Sequence, residues 1–175
     1  TVDLAITAPQ ATGEGNDRLG QIEGVIGSRF DDVLRGLDVP TAVGDLLLGF
    51  DGRDQITGLD GDDVIFGGVG GDDLGTGLDG GSGNDVILGD EPDPFFPGSG
   101  DDHLFGGPGD DLLDGGGNVT GPPNGDFGDG GPHVAGDQCS GLEDAGTTEC
   151  EKFSRGAAGI SRALSVLSRR SRLRR

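Results

Sequence analysis

Aspartate recurs in this chain at a fixed distance from an aliphatic residue. Nine windows of nine residues carry Asp at position 6 and Leu or Ile at position 8: Asp17/Leu19, Asp32/Leu34, Asp45/Leu47, Asp54/Ile56, Asp63/Ile65, Asp72/Leu74, Asp85/Ile87, Asp102/Leu104 and Asp111/Leu113. Glycine opens most windows and fills position 4 in seven of the nine. A carboxylate beside glycine turns sits among backbone carbonyls, and the recurring positions offer nothing softer than oxygen. Hard divalent cations of the calcium kind take about 6–8 such oxygens at about 2.3–2.6 Å. The chemistry expected of this spacing is therefore cation binding.

The spacing also prescribes the elements that must hold the carboxylates. A three-residue strand such as Val86-Ile87-Leu88 points its middle side chain one way and its neighbours the other. One aliphatic per window suits a thin roll of two sheets, with stacked Leu and Ile inside. The other half of each window must turn tightly, which glycine permits. The candidate ligands are thus the nine position-6 aspartates and the glycines of their loops. Those glycines are Gly49, Gly52, Gly58, Gly61, Gly67, Gly70, Gly80, Gly83, Gly98, Gly100, Gly106 and Gly109.

Gly80 to Leu88 reads G-G-x-G-x-D-x-U-x without a departure, and Gly106 to Asp114 comes close. On these residues the chain resembles the RTX, or haemolysin-type calcium-binding, repeat family of secreted bacterial proteins, over roughly two thirds of its length. The resemblance implies an all-β parallel β-roll, two nonapeptides per turn, with calcium ions in the glycine-rich loops. On that scheme each window lies above the next but one. The stacked pairs are then Asp17/Asp45, Asp32/Asp54, Asp45/Asp63, Asp54/Asp72, Asp63/Asp85, Asp72/Asp102 and Asp85/Asp111, for up to about seven ions. Phe30 and Val43 replace glycine at position 4 in two early windows, which weakens Asp32 and Asp45 as ligands. Extra residues fall at 21–26, 36–39, 76–79 and 89–96. Glu91 to Pro97 reads as an extruded loop, because proline cannot join a central ladder.

Composition agrees. There are 26 Asp against 6 Glu, a bias that fits a short liganding arm beside a glycine turn better than generic acidic solubility. Residues 1–151 hold 32 acidic and 4 basic side chains, a net of −28, whereas residues 152–175 hold 8 basic and no acidic ones. Such an acidic segment repels itself until cations neutralise it, so metal binding is expected to drive folding. Nucleic acid is an unsuitable partner for that surface.

Catalytic motifs are missing. No G-K-[ST] phosphate loop, EF-hand loop or G-x-S-x-G elbow occurs, and Lys152 is the only lysine. His103 and His133 lack a second histidine at zinc spacing and read as surface residues. No run reaches the roughly 20 apolar residues of a membrane span. Thr1-Val2-Asp3-Leu4 does not open a signal peptide, so any secretion signal is expected to be already removed or outside this sequence.

Four segments follow: a capping strand at 1–11, the roll at 12–114, a degenerate repeat and cap at 115–151, and a basic tail at 152–175. Cys139 and Cys150 share one short terminal stretch and are expected to form a disulfide closing the stack. The same terminal pair occurs in extracellular calcium-binding repeat proteins that the chain resembles; two free thiols are the alternative. Ile160, Leu164, Leu167 and neighbouring Val166 sit at helical spacing among arginines. That tail could meet an anionic membrane or cell surface, fold back on the acidic roll, or have no role. The expected function is extracellular calcium binding with calcium-dependent folding and a structural or adhesive role, without enzymatic activity. The alternative is the C-terminal accessory module of a larger secreted protease, lipase or toxin.

Overall fold

The residues that follow each aspartate are mostly aliphatic or β-branched, and they pair as short strands. The computed structural model describes residues 1–6, 8–12, 16–19, 22, 24–38, 44–73, 75–90, 100–116, 126–132, 136–140, 142 and 150–153. In chain order the strands are β1 (Val2–Asp3), β2 (Gln10–Ala11), β3 (Asn16–Asp17), β4 (Gly24–Ile26) and β5 (Val33–Arg35). There follow β6 (Leu46–Asp51), β7 (Gln55–Asp60), β8 (Val64–Val69), β9 (Leu78–Ser82) and β10 (Val86–Leu88). The last five are β11 (His103–Phe105), β12 (Leu112–Asp114), β13 (Phe127–Asp129), β14 (Asp137–Ser140) and β15 (Cys150–Phe153).

The chain alternates between two parallel sheets. One has the order β1-β5-β7-β9-β11-β13, the other β15-β14-β12-β10-β8-β6-β4. From β4 to β12 each strand pairs with the next but one, so two windows make one turn of an all-β parallel solenoid. Its interior is a single buried cluster of Leu34, Leu47, Ile56, Ile65, Leu78, Ile87, Leu104, Leu113 and Cys139. Burying each such Leu or Ile contributes about 1.5–3 kcal/mol. In β13 the inward residue is Gly128, and Leu142 lies where its side chain would be. That substitution in space keeps the core filled one turn beyond the last regular window.

Three expectations need correction. Among its described residues the window 12–20 does not join the roll: β3 pairs antiparallel with β2, setting Asp17 opposite Gln10. β4, within the span read as extra residues, runs beneath β6 with Val25 opposite Leu47. Val25 precedes Leu34 by the repeat length of nine, whereas Leu19 precedes it by fifteen. The Asp17/Asp45 stack is therefore absent from the pairing of the described strands.

In the sixth window the inward residue is Leu78 in place of Leu74, opposite Ile56 on one side and Leu104 on the other. Gly75 and Gly77, at φ +63 and +68, turn the chain before it re-enters the sheet. The extra residues thus leave directly after Asp72. Leu74 itself lies outside the described residues.

The roll also continues past residue 114, through β13, β14 and β15. Asp137 pairs opposite Cys150 there, but the side chain of Cys150 is outside the described residues. His133, Gly98 and the tail from 154 onward also lie outside them.

The two outer faces differ. On the six-stranded sheet they are mixed, with Gln55, Thr57 and Asp79, and with His103 edge-on to Phe127 at 5.8 Å. On the seven-stranded sheet Val64, Val86, Leu88 and Leu112 form a second apolar cluster with Leu46 and Phe66 against it.

Candidate metal centre

Stacking brings the aspartates into two columns. In one, the Asp32 amide donates to Asp54 Oδ1 at 2.8 Å, Asp54 to Asp72 at 2.8 Å, Asp72 to Asp102 at 2.8 Å, and Asp102 to Asp126 at 3.0 Å. In the other, Asp45 donates to Asp63, Asp63 to Asp85, Asp85 to Asp111, and Asp111 to Asp137. Each carboxylate is held by the amide of the turn before it. Six of the seven expected pairs are formed, and Asp102/Asp126 and Asp111/Asp137 extend the columns.

The second carboxylate oxygen faces the glycine loop. A Cβ on Gly89 would lie 2.5 Å from Asp102 Oδ2 and 3.0 Å from the Gly115 carbonyl. Gly49, Gly58, Gly67 and Gly106 repeat this arrangement, each facing the aspartate of its own window and the glycine carbonyl one turn on. Only a residue without a side chain leaves this space open to oxygens from two turns. At position 4 the glycines lie against each other: Gly83 has φ +147 and faces the Gly61 carbonyl.

All aspartates in the columns except Asp32 are at most 1% exposed. Oδ2 of Asp54, Asp72, Asp85, Asp102 and Asp126 is buried without a hydrogen-bond partner. Stranding a buried polar atom costs about 1–3 kcal/mol, more for a charged group. The four arginines among the described residues, Arg18, Arg29, Arg35 and Arg53, are all exposed. Arg53 pairs with half-buried Asp73, holding its carboxyl below the ordinary range.

Burial pushes the columns the other way. It raises Asp54 and Asp102 to about 6, and Asp72, Asp85 and Asp126 to about 8. The amide from the preceding turn opposes the shift, and repulsion between stacked aspartates adds to it. Asp90, buried beside Gly116, rises to about 7 through burial and the charges of Asp102 and Asp114.

Buried unpaired oxygens, glycine cradles and adjoining carbonyls together fit a hard, oxygen-seeking ion of the calcium type. No group of three or more His, Cys, Asp or Glu side chains converges among the described residues. The donor set is accordingly one carboxylate per turn plus backbone carbonyls.

Asp45, expected to be weakened by Val43, is fully in its column because Gly36 takes the place of Pro40 at the head of its loop. Asp32 is half-buried, and its Oδ2 accepts the Ser28 amide at 2.7 Å and hydroxyl at 2.8 Å. Asp126 and Asp137 fall in the stretch expected as a degenerate repeat; they, Asp90 and the loop-heading Gly36, Gly89, Gly115 and Gly130 lie outside the nine windows. Asp126-x-Gly128 and Asp137-x-Cys139 keep the acidic position while changing the aliphatic one, and that half-motif was the available signal.

The family model described as the RTX calcium-binding nonapeptide repeat matches residues 44–77, 78–91 and 98–118, in four copies. No curated protein and no solved structure matches the chain.

Proposed function

With residues 44–77, 78–91 and 98–118 identified as RTX calcium-binding nonapeptide repeats, we propose that this chain is an extracellular structural module that folds around calcium. The observation that carries the reading is the set of buried, unpartnered Oδ2 atoms on Asp54, Asp72, Asp85, Asp102 and Asp126. Asp54 to Asp111 with the carbonyls of Gly49, Gly58, Gly67, Gly80, Gly89 and Gly106 would hold the ions; Asp126 and Asp137 extend the set. Bound calcium supplies positive charge between turns and removes the repulsion within the columns.

The protein's own part is positional. Each backbone amide fixes one oxygen of the next aspartate, leaving the other turned into the glycine cradle. Because neighbouring turns share their carboxylates, ion binding and stacking reinforce each other, and binding free energy becomes folding free energy. Low calcium inside a cell and higher calcium outside would make folding follow export. A Cys139–Cys150 disulfide would then close the C-terminal end; there is no free cysteine among the described residues. Such a bridge fits an oxidising compartment.

The test is far-UV circular dichroism of the chelated chain during calcium titration, with magnesium as control. A calcium-specific gain of β signal is expected. An equal response to magnesium, or none, would overturn the reading.

A further inference from the structure

The loop headed by Gly89 departs from the others of its column at its second position. Ser28, Phe50, Gly68, Asp90 and Gly116 follow the five loop-heading glycines there. In the regular turns this position offers its backbone to the turn above: Gly68 faces the Phe50 carbonyl, Gly81 that of Leu59, and Gly107 that of Gly81. At Asp90 the side chain takes that place. A Cβ on Gly116 would lie 2.5 Å from Asp90 Cβ and 2.7 Å from its Oδ2. Asp90 is nevertheless only 6% exposed.

Other oxygens converge beside it. Asp102, to which this loop leads, is fully buried, and its Oδ2 has no hydrogen-bond partner. That oxygen and the Gly115 carbonyl lie 2.5 and 3.0 Å from where a Cβ on Gly89 would stand. Gly89 and Gly115 are the chain neighbours of Asp90 and Gly116, so the Asp90 carboxylate borders the same cradle. Burial raises Asp90, and the charge of Asp102 raises it further. Asp72 and Asp126, raised chiefly by burial, feel the charge of Asp90 in turn.

Ser28 shows what a side chain at this position can reach. Its hydroxyl donates to Asp32 Oδ2 at 2.8 Å and satisfies it within the loop. An ionised aspartate in the same place has no proton to give. Two carboxylates withdrawn from water around one cradle repel each other until a cation joins them.

We propose that Asp90 is a further cation ligand, so that the cradle between Gly89 and Gly115 holds two carboxylates and fills before the others as calcium rises. The proposal rests on the calcium reading above and adds an order of filling to it. Calcium affinity follows the number of charged ligands. The cradles at Gly49, Gly58, Gly67 and Gly106 each meet the aspartate of their own window, and the next residue, Phe50, Leu59, Gly68 or Gly107, brings no carboxylate.

The experiment is calcium titration of the full chain in competition with a chromophoric chelator, comparing the parent with Asp90→Asn and Asp90→Gly. Asparagine keeps the shape without the charge, and glycine restores what stands at Gly68. In both variants the tightest calcium step should weaken about tenfold or more, with the later steps parental. Europium, a trivalent stand-in for calcium, reads the ligands directly, because its narrow excitation band shifts with the carboxylate charge around it. The parent should show one minor band that Asp90→Asn lacks. A parent that binds no calcium would overturn the calcium reading and this proposal with it. A calcium-binding parent whose tightest step and europium bands survive in Asp90→Asn would overturn the proposal alone. Equal weakening of every step would make Asp90 a residue of the fold and would equally overturn it.

Discussion

Asp32 and Asp85 hold the same position in the repeat and live in different surroundings. Asp85 is 1% exposed, with Oδ1 on the Asp63 amide, Oδ2 unpaired and a pKa pushed up to about 8. Asp32 is half-buried and has already given Oδ2 to Ser28. The Asp85 loop is Gly80-Gly81-Ser82-Gly83, and the Asp32 loop is Gly27-Ser28-Arg29-Phe30. Glycine at positions 2 and 4 leaves the carboxylate nothing to bind but an ion, whereas serine at position 2 satisfies it locally. The loop around the motif's aspartate thus decides whether its carboxylate is satisfied locally or left open to an ion.

Breaking the central turns should cost most. Ile87→Ala, in a fully buried position, should destabilise the calcium-loaded protein by about 2–5 kcal/mol. Val25→Ala, half-buried at the N-terminal end, should cost visibly less in the same denaturant series. Asp85→Ala removes a carboxylate shared by two turns and should lose about 1.5–3 kcal/mol of ion-bound stability. Calorimetry should then show fewer calcium ions and a midpoint shifted by about tenfold or more. Asp63→Ala should behave alike. Parental titrations from both variants would dismantle the pairing scheme.

A pH series sharpens the same contrast. Asp72, Asp85 and Asp126 are raised from 3.8 to about 8 in the fold, so the ion-free roll binds their protons more tightly than the unfolded chain does. That contribution is complete below 3.8 and fades as pH climbs through 6 towards 8. Chelated protein should therefore gain β signal on acidification. Calcium must displace those protons, so its titration midpoint should improve over the rising window. The smallest effect belongs to Asp32→Ala, expected within about 0.5 kcal/mol of the parent. A loss as large as that of Asp85→Ala would erase the distinction between the two loops.

Much of this was legible before the structure, because a nine-residue period forces its own stacking. The pairs from Asp32/Asp54 to Asp85/Asp111 follow from counting windows. Where extra residues leave the roll does not follow, since Leu74 and Leu78 both trail an acidic glycine-rich stretch. The backbone angles of Gly75 and Gly77 make the choice. Asp126 and Asp137 read only as a degenerate repeat because Gly128 and Cys139 break the aliphatic signature, and Leu142 repairs the first from outside the window. Phe50 and Leu59, at φ +84 and +82, occupy a turn position that the motif gives to glycine. The apolar outer rows were equally hidden: Val64, Phe66, Val86 and Leu88 become a surface only when turns are superposed.

The aspartate columns also give the molecule a mechanical character. Successive rungs are separated by unequal lengths of chain: 22, 18, 18, 22, 30, 26, 24 and 26 residues. A turn peeled from the stack releases at most about 3.5 Å of chain per residue, hence about 6 nm for the shortest rung and about 10 nm for the longest. Stretched end to end, the roll would yield in a series of steps whose sizes are written in its insertions, each step setting calcium free.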